Sequence, residues 1–189
     1  DQLVDRFKQA WSVLDISYDR FIRTSDPDHK QVVTQAIRVL LEKGDIYKEK
    51  YRGLYCMPCE GFWTPAQLSD KQDKDVCPDC GRKLEPIEEE TYFFRLSKYA
   101  DWLKDYLARN QNFVQPRIRY NEVIGFLENN ELADLCISRP KARVSWGIDF
   151  PGDPDQVVYV WFDALLNYIS AIGFGVDNEK FNKWWPASC

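Results

Sequence analysis

Val157-Val158-Tyr159-Val160-Trp161-Phe162 is an unbroken run of apolar, β-forming residues, and a helix-forming stretch follows it from Asp163 to Ala171. A continuous run of this kind suits a strand buried on both faces, as in a parallel sheet covered by helices. The point where such a strand opens into a helix is where α/β folds place their ligands. The unit therefore predicts an α/β fold, entered through a turn-rich approach between Gly147 and Pro154.

Upstream, the apolar periodicity is helical. Leu3, Val4, Phe7 and Trp11 share one face of a helix over residues 1–12. Thr24-Ser25-Asp26-Pro27-Asp28 reads as a helix start, with Asp26 as cap, Pro27 in the first position and Asp28 at the positive end of the dipole. That helix carries Val33, Ile37, Leu40 and Leu41 inward and stops at Gly44. A strand is expected within Ile46–Tyr55, interrupted by Gly53, and another at Thr91–Leu96. Ser97 should cap a helix bearing Tyr99, Leu103, Tyr106 and Leu107. Beyond Pro116, a further helix carries Tyr120, Val123, Ile124 and Leu127 and stops at Asn129-Asn130.

Four of the six cysteines form two tight pairs, Cys56/Cys59 and Cys77/Cys80, 17 residues apart, while Cys136 and Cys189 stand alone. A two-residue spacer lets both thiolates of a pair reach one ion, and Gly81 permits the tight turn after the second pair. Two such pairs supply four soft ligands in a tetrahedron, the closed coordination of one structural Zn²⁺ with no position left for water. Disulfide or unpaired cysteines are the plainer alternative. The paired spacing in a chain with no visible secretion signal favours metal in a reducing compartment.

Composition narrows the classes. A hydrophobic fraction of 44% with 15% aromatics is enough for a real core. No apolar run approaches the roughly 20 residues of a membrane span. A net charge of −5 argues against a chain whose main task is gripping phosphate backbones. Arg117, Arg119, Lys141 and Arg143 are the nearest thing to a basic face, and read as ordinary solvated surface. Asp1-Gln2-Leu3-Val4-Asp5 opens on a helical pattern, as an internal piece of a larger chain would.

Several stretches, in order, resemble the methionyl-tRNA synthetase family. They are Phe21–His29, Gly44–Tyr47, Tyr55–Glu60, Tyr92–Leu96, Ile137-Ser138-Arg139, Ser145–Ile148, Tyr159–Leu165 and Asn167–Ala171. The resemblance implies a Rossmann-type class I catalytic layer split by a connective insertion with a four-cysteine zinc knuckle. On it, residues 1–23 belong to the catalytic layer, 24–142 to the connective domain with the knuckle at 52–90, and 143–189 to the return into the catalytic layer. It also implies activation of methionine with ATP and Mg²⁺, transfer to tRNA(Met), and a cytoplasmic protein. Residue by residue, Trp161 matches the tryptophan of the family's methionine pocket, Tyr168 a second aromatic and Leu165 another wall. Arg139 matches an arginine that reaches the active site during activation. Without the resemblance, Trp161 and Tyr168 read as core aromatics and Arg139 as surface. His29, the one histidine, is expected to cap or pack at its helix start.

The family's His-Ile-Gly-His-type and Lys-Met-Ser-Lys-Ser-type ATP-binding motifs are absent from these 189 residues, and Ser188-Cys189 departs from the family's continuation. The chain by itself is accordingly expected to bind zinc and to be inactive in aminoacylation. Two other readings compete. A zinc-ribbon module contacting nucleic acid or protein would not need the long strand–helix unit at 157–172. A leucine, isoleucine or valine synthetase would carry a much larger editing insertion than the about 120 residues at 24–142. Because residues 56–86 hold few apolar side chains, metal should supply most of their folding energy. Strong chelation is expected to open this segment first, read by amide hydrogen exchange; unchanged protection in the metal-free chain would refute it.

Overall fold

A computed structural model describes residues 2–59, 61–63, 68 and 75–187; Asp1, Glu60 and Ser188-Cys189 lie outside these. Helix α1 spans Gln2–Val13 and α2 Pro27–Glu42. Asp26 stands at the N-cap of α2 with Pro27 in the first turn, but its carboxylate accepts from the Arg23 amide at 3.0 Å instead of closing the helix end. Val32, Val33, Ala36 and Ile37 are buried, and Gly44 turns the chain out with φ of 68°. Helix α1 forms as its periodicity indicates, yet none of its residues is buried.

The first sheet is antiparallel, in the order β2-β1-β3-β4. Its strands are β1 (Ile46–Cys56), β2 (Gly61–Trp63), β3 (Glu85–Phe94) and β4 (Leu135–Cys136). Gly53 does not interrupt β1; it pairs with Ile87. Strand β3 begins at Glu85, well before the expected Thr91, because its acidic stretch meets a basic partner. Arg52 lies opposite Glu88 and Lys50 opposite Glu90, and such opposite-charge pairs favour a ladder over individual strand propensities.

The second sheet is also antiparallel, in the order β5-β7-β6, with β5 at Ser138–Pro140, β6 at Asp149–Phe150 and β7 at Asp153–Val158. Here the structure corrects the opening expectation. Strand β7 ends at Val158 and is flanked by antiparallel neighbours, while Val160-Trp161-Phe162 already belongs to helix α5, Val160–Leu165. A short apolar run is ambiguous between buried strand and buried helix, and here it is divided between them. Helix α6, Asn167–Ala171, follows, then α7, Asn178–Trp184.

One core joins the two sheets to α2 and α5: Val33, Ile37, Ile46, Ile137, Ile148, Phe150, Val158 and Phe162. Tyr92 stacks on Phe150 with ring centroids 3.9 Å apart. A smaller core of Leu107, Tyr120 and Leu127 holds α3 (Ala100–Arg109) to α4 (Arg117–Asn129). Ser97 does not cap α3. It lies in a 3₁₀ turn, Leu96–Tyr99, and its hydroxyl donates to Asp134, which also accepts from Tyr47. No helix of the described residues is long and apolar enough to cross a membrane.

Asp45, at the turn between α2 and β1, is 1% exposed, and its carboxylate accepts from Lys98 Nζ at 2.5 Å and Tyr99 Oη at 2.6 Å. The bond from Lys98, then that from Tyr99, hold its pKa below 3.8. Its contribution to stability is therefore present above pH 3.8 and lost as pH falls through the depressed folded value. Urea unfolding of Asp45→Asn should show less stability at neutral pH than the parent, with the difference shrinking toward acid.

Candidate functional site

Cys56 ends strand β1 and Cys59 follows in the turn. The second pair sits in a tight hairpin, where the Cys77 amide donates to the Arg82 carbonyl at 2.8 Å and the Gly81 amide to the Cys77 carbonyl at 2.9 Å. Gly81 has φ of 71°, a left-handed turn that costs a glycine little. Folding brings all four sulfurs within 4.8 Å of one another, with Cys56 Sγ 3.4 Å from Cys80 Sγ. Zn–S bonds of about 2.3 Å place sulfurs about 3.8 Å apart, so the cluster fits one tetrahedral ion.

The thiol chemistry agrees. Burial pushes Cys56 up. The sulfurs of Cys80 and Cys56 push Cys59 up to about 12. Burial also works against the Cys77 thiolate, but the backbone amides of Cys80 and Asp79 outweigh it and draw Cys77 down to about 7. Sulfurs this close cannot all ionise without a cation to share their charge. Buried around them are Leu68 and Leu84, with Leu54 and Trp63 packed alongside.

A second group of residues gathers where β5 meets the start of α5. Arg139 is 4% exposed, with its guanidinium carbon 3.9 Å from the Tyr159 ring centroid and 5.8 Å from that of Tyr55. Both lie within cation–π range. Arg139, Arg143, Tyr55, Trp146, Tyr159 and Asp163 line a cavity of about 100 Å³. Arg143 is ion-paired to Glu89 of β3 and lies 5.6 Å from the same Tyr55 ring. The sequence reading took Arg139, without the resemblance, for a surface residue; the pairing of β5 with β7 buries it. Asp163 is 5% exposed, and burial raises its pKa to about 6.

Trp161, Leu165 and Tyr168 recur at helical spacing along α5 and α6. Trp161 is half-buried, its indole N–H donating to the Cys136 carbonyl at 3.0 Å, while Leu165 is 59% and Tyr168 73% exposed. Leu165 and Tyr168 do not line the Arg139 cavity. His29 is fully buried and packs at its helix start, its Nδ1 2.9 Å from Ser170 Oγ, tying α2 to α6. Tyr55, Tyr159 and Asp163 escaped the sequence reading as site residues. Their one signal was adjacency: Tyr55 precedes a cysteine of the paired cluster, and Tyr159 and Asp163 flank Trp161.

All of residues 1–189 match the family model described as tRNA synthetases class I (M). Methionine-tRNA ligase of Caldanaerobacter subterraneus subsp. tengcongensis is 50% identical over 188 residues, and that of Thermotoga maritima 46% over 187. The alignments cover 99% of this chain, which spans 28% and 29% of the two relatives. The crystal structure of Mycobacterium tuberculosis methionyl-tRNA synthetase bound by methionyl-adenylate superposes with a TM-score of 0.80 at 41% identity. It covers 97% of this chain and 36% of that one. The apo form of the same enzyme gives 0.79 at 40% identity.

Asp163 gives this region a pH signature. Its folded pKa of about 6 lies above the ordinary 3.8, so the folded chain holds a proton the unfolded chain has lost. Stability is then greatest below pH 3.8 as far as this group is concerned, and falls as pH rises to about 6. Replacing Asp163 with Asn should flatten that decline, measured as denaturant midpoints from about pH 4 to about pH 7.

Proposed function

The chain belongs to the class I (M) tRNA synthetases, the methionyl-tRNA synthetase family, and from that premise we propose that it is the segment of a methionine-tRNA ligase that carries the zinc knuckle and one side of the methionine pocket. The observation that carries this reading is the likeness, at 41% identity over 97% of the chain, to an enzyme bound by methionyl-adenylate. The complete enzyme would activate methionine with ATP and Mg²⁺ and transfer it to tRNA(Met), in the cytoplasm. The division into catalytic layer (1–23 and 143–189) and connective domain (24–142) is proposed on the same ground.

Cys56, Cys59, Cys77 and Cys80 hold one structural zinc per chain in this reading. Four protein thiolates close the coordination shell and leave no place for water or substrate, so the metal orders the hairpin and takes no part in the reaction. Trp161, Leu165 and Tyr168 form the wall for the methionine side chain. A thioether is apolar and polarizable and packs well against aromatic rings. The indole bond to Cys136 fixes the orientation of Trp161, and Leu165 and Tyr168 are open to be covered by ligand or by further parts of the enzyme.

Arg139 supplies positive charge for the activation step. Its burial and its stacking on Tyr159 restrict the planar guanidinium, whose paired donors suit the carboxylate and phosphate oxygens of that reaction. The isolated chain has no counterpart of the family's ATP-binding motifs and is inactive in this reading.

Amino-acid-dependent ATP–pyrophosphate exchange by the complete enzyme tests the assignment. Exchange is expected with methionine and not with leucine, isoleucine or valine, and the isolated chain should support none. Truncating an aromatic pocket wall costs roughly 1–3 kcal/mol, so Trp161→Ala should lower kcat/KM about 5- to 150-fold. Exchange with no amino acid would sink the ligase reading, and an unaltered variant would return Trp161 to the core.

A further inference from the structure

Tyr55 occupies an unusual junction. It is joined by a peptide bond to Cys56 of the four-cysteine cluster, the residue is 9% exposed, and its ring has Arg139 at 5.8 Å and Arg143 at 5.6 Å. Arg139 is thus within reach of two aromatic rings from two separately anchored parts of the fold. Tyr159 stands at the N-cap of α5, which the main core holds through Phe162. Tyr55 stands at the far end of the β1–β3 hairpin. The buried cluster there, among the described residues, is Cys56, Leu68, Cys77 and Leu84, two of them metal-binding cysteines. Part of the order of that end therefore rests on what the four sulfurs bind, beside its strand pairing, whereas the order of Tyr159 does not. Arg143 is held independently by Glu89, in the body of β3. The Tyr55 ring thus stands between the cysteine cluster and the Arg139 guanidinium.

We propose that Tyr55 is a positioning residue for Arg139, transmitting the metal-loaded state of the four-cysteine cluster to the guanidinium. The proposal rests on reading the cysteines as a zinc site and Arg139 as the cation of the activation step. With the cluster loaded, β1 is ordered to its last residue and the Tyr55 ring bounds the Arg139 cavity on the hairpin side. With the cluster empty, that side of the cavity loosens and Arg139 retains Tyr159 alone of the two rings. The zinc then acts on the reaction at a distance, through one ring, with no ligand position of its own engaged.

The test uses the 189-residue chain and needs no turnover. The Nε–H resonance of Arg139, assigned by its absence in Arg139→Lys, is followed while zinc is titrated into the metal-free chain. Thiolate-to-cobalt absorption in a parallel cobalt(II) titration reports loading of the cysteines. The Arg139 resonance should move with loading and stop moving at one metal per chain. Tyr55→Phe, which keeps the ring, should preserve the movement. Tyr55→Leu should bind the same amount of metal and lose most of it. An equal movement in Tyr55→Leu overturns the proposal, as does an Arg139 signal that ignores a fully loaded cluster. If the cobalt band never appears, the zinc reading itself fails and takes the proposal with it. Should Tyr55→Leu not fold, the unsubstituted chain decides: Arg139 and Tyr55 ring resonances moving together support the link, and an unmoved Arg139 overturns it.

Discussion

The backbone of Ile137 is the seam on which the rest of the fold depends. Its amide donates to the Tyr92 carbonyl at 2.8 Å, and its carbonyl accepts from the Tyr159 amide at 2.8 Å, while its side chain is wholly buried in the main core. One residue thus ties the long hairpin to the strand–helix unit. Its neighbours repeat the theme. The Cys136 carbonyl fixes the Trp161 indole, and the Ser138 hydroxyl accepts from the Tyr92 amide and donates to Gln156, whose amide donates to the Glu90 carbonyl. Such a buried polar chain is costly to leave half-made, so the two sheets have one relative placement that satisfies it. Arg139 follows directly, and its position is inherited from this seam.

From there the molecule divides by how its order is maintained. The body around Ile37, Ile137 and Phe162 is an apolar core of the usual kind, with stacked aromatics and a latch in which Lys48 bridges Asp153 and Glu90. Among the described residues, the hairpin tip has a small buried cluster of Cys56, Cys77, Leu68 and Leu84. Hydrophobic burial serves the first, and the second has only a few apolar side chains beside four clustered sulfurs. The Arg139 cavity lies where the two meet, with Tyr159 on one and Tyr55 on the other. That arrangement sets the Arg139 guanidinium between the two parts.

Much was legible in the residues alone, and for local reasons. Paired cysteines two residues apart, with Gly81 after the second pair, carry their geometry in the spacing, since a tight turn and two thiols fix where an ion can sit. Helix α2 announced itself through Asp26, Pro27 and Gly44. What failed were readings in which a long-range partner overrode local preference. Glu85–Glu90 looks unlike a strand until Arg52, Lys50 and Lys48 are set beside it. Ser97 looks like a helix cap until Asp134 takes its hydroxyl. The VVYVWF run reads as one strand until antiparallel neighbours end it at Val158.

By itself the sequence determined the mixed helix–strand character, the pairing of the four cysteines, the family, and the helical spacing of Trp161, Leu165 and Tyr168, because each depends on contacts or spacings within a few residues or on motifs kept in order. Tertiary structure decided the burial of Arg139, its two aromatic neighbours, the raised pKa of Asp163 and the exposure of Leu165 and Tyr168. Those properties belong to surroundings assembled from residues up to about a hundred positions apart, and desolvation and cation–π contact exist only once the chain has folded them together.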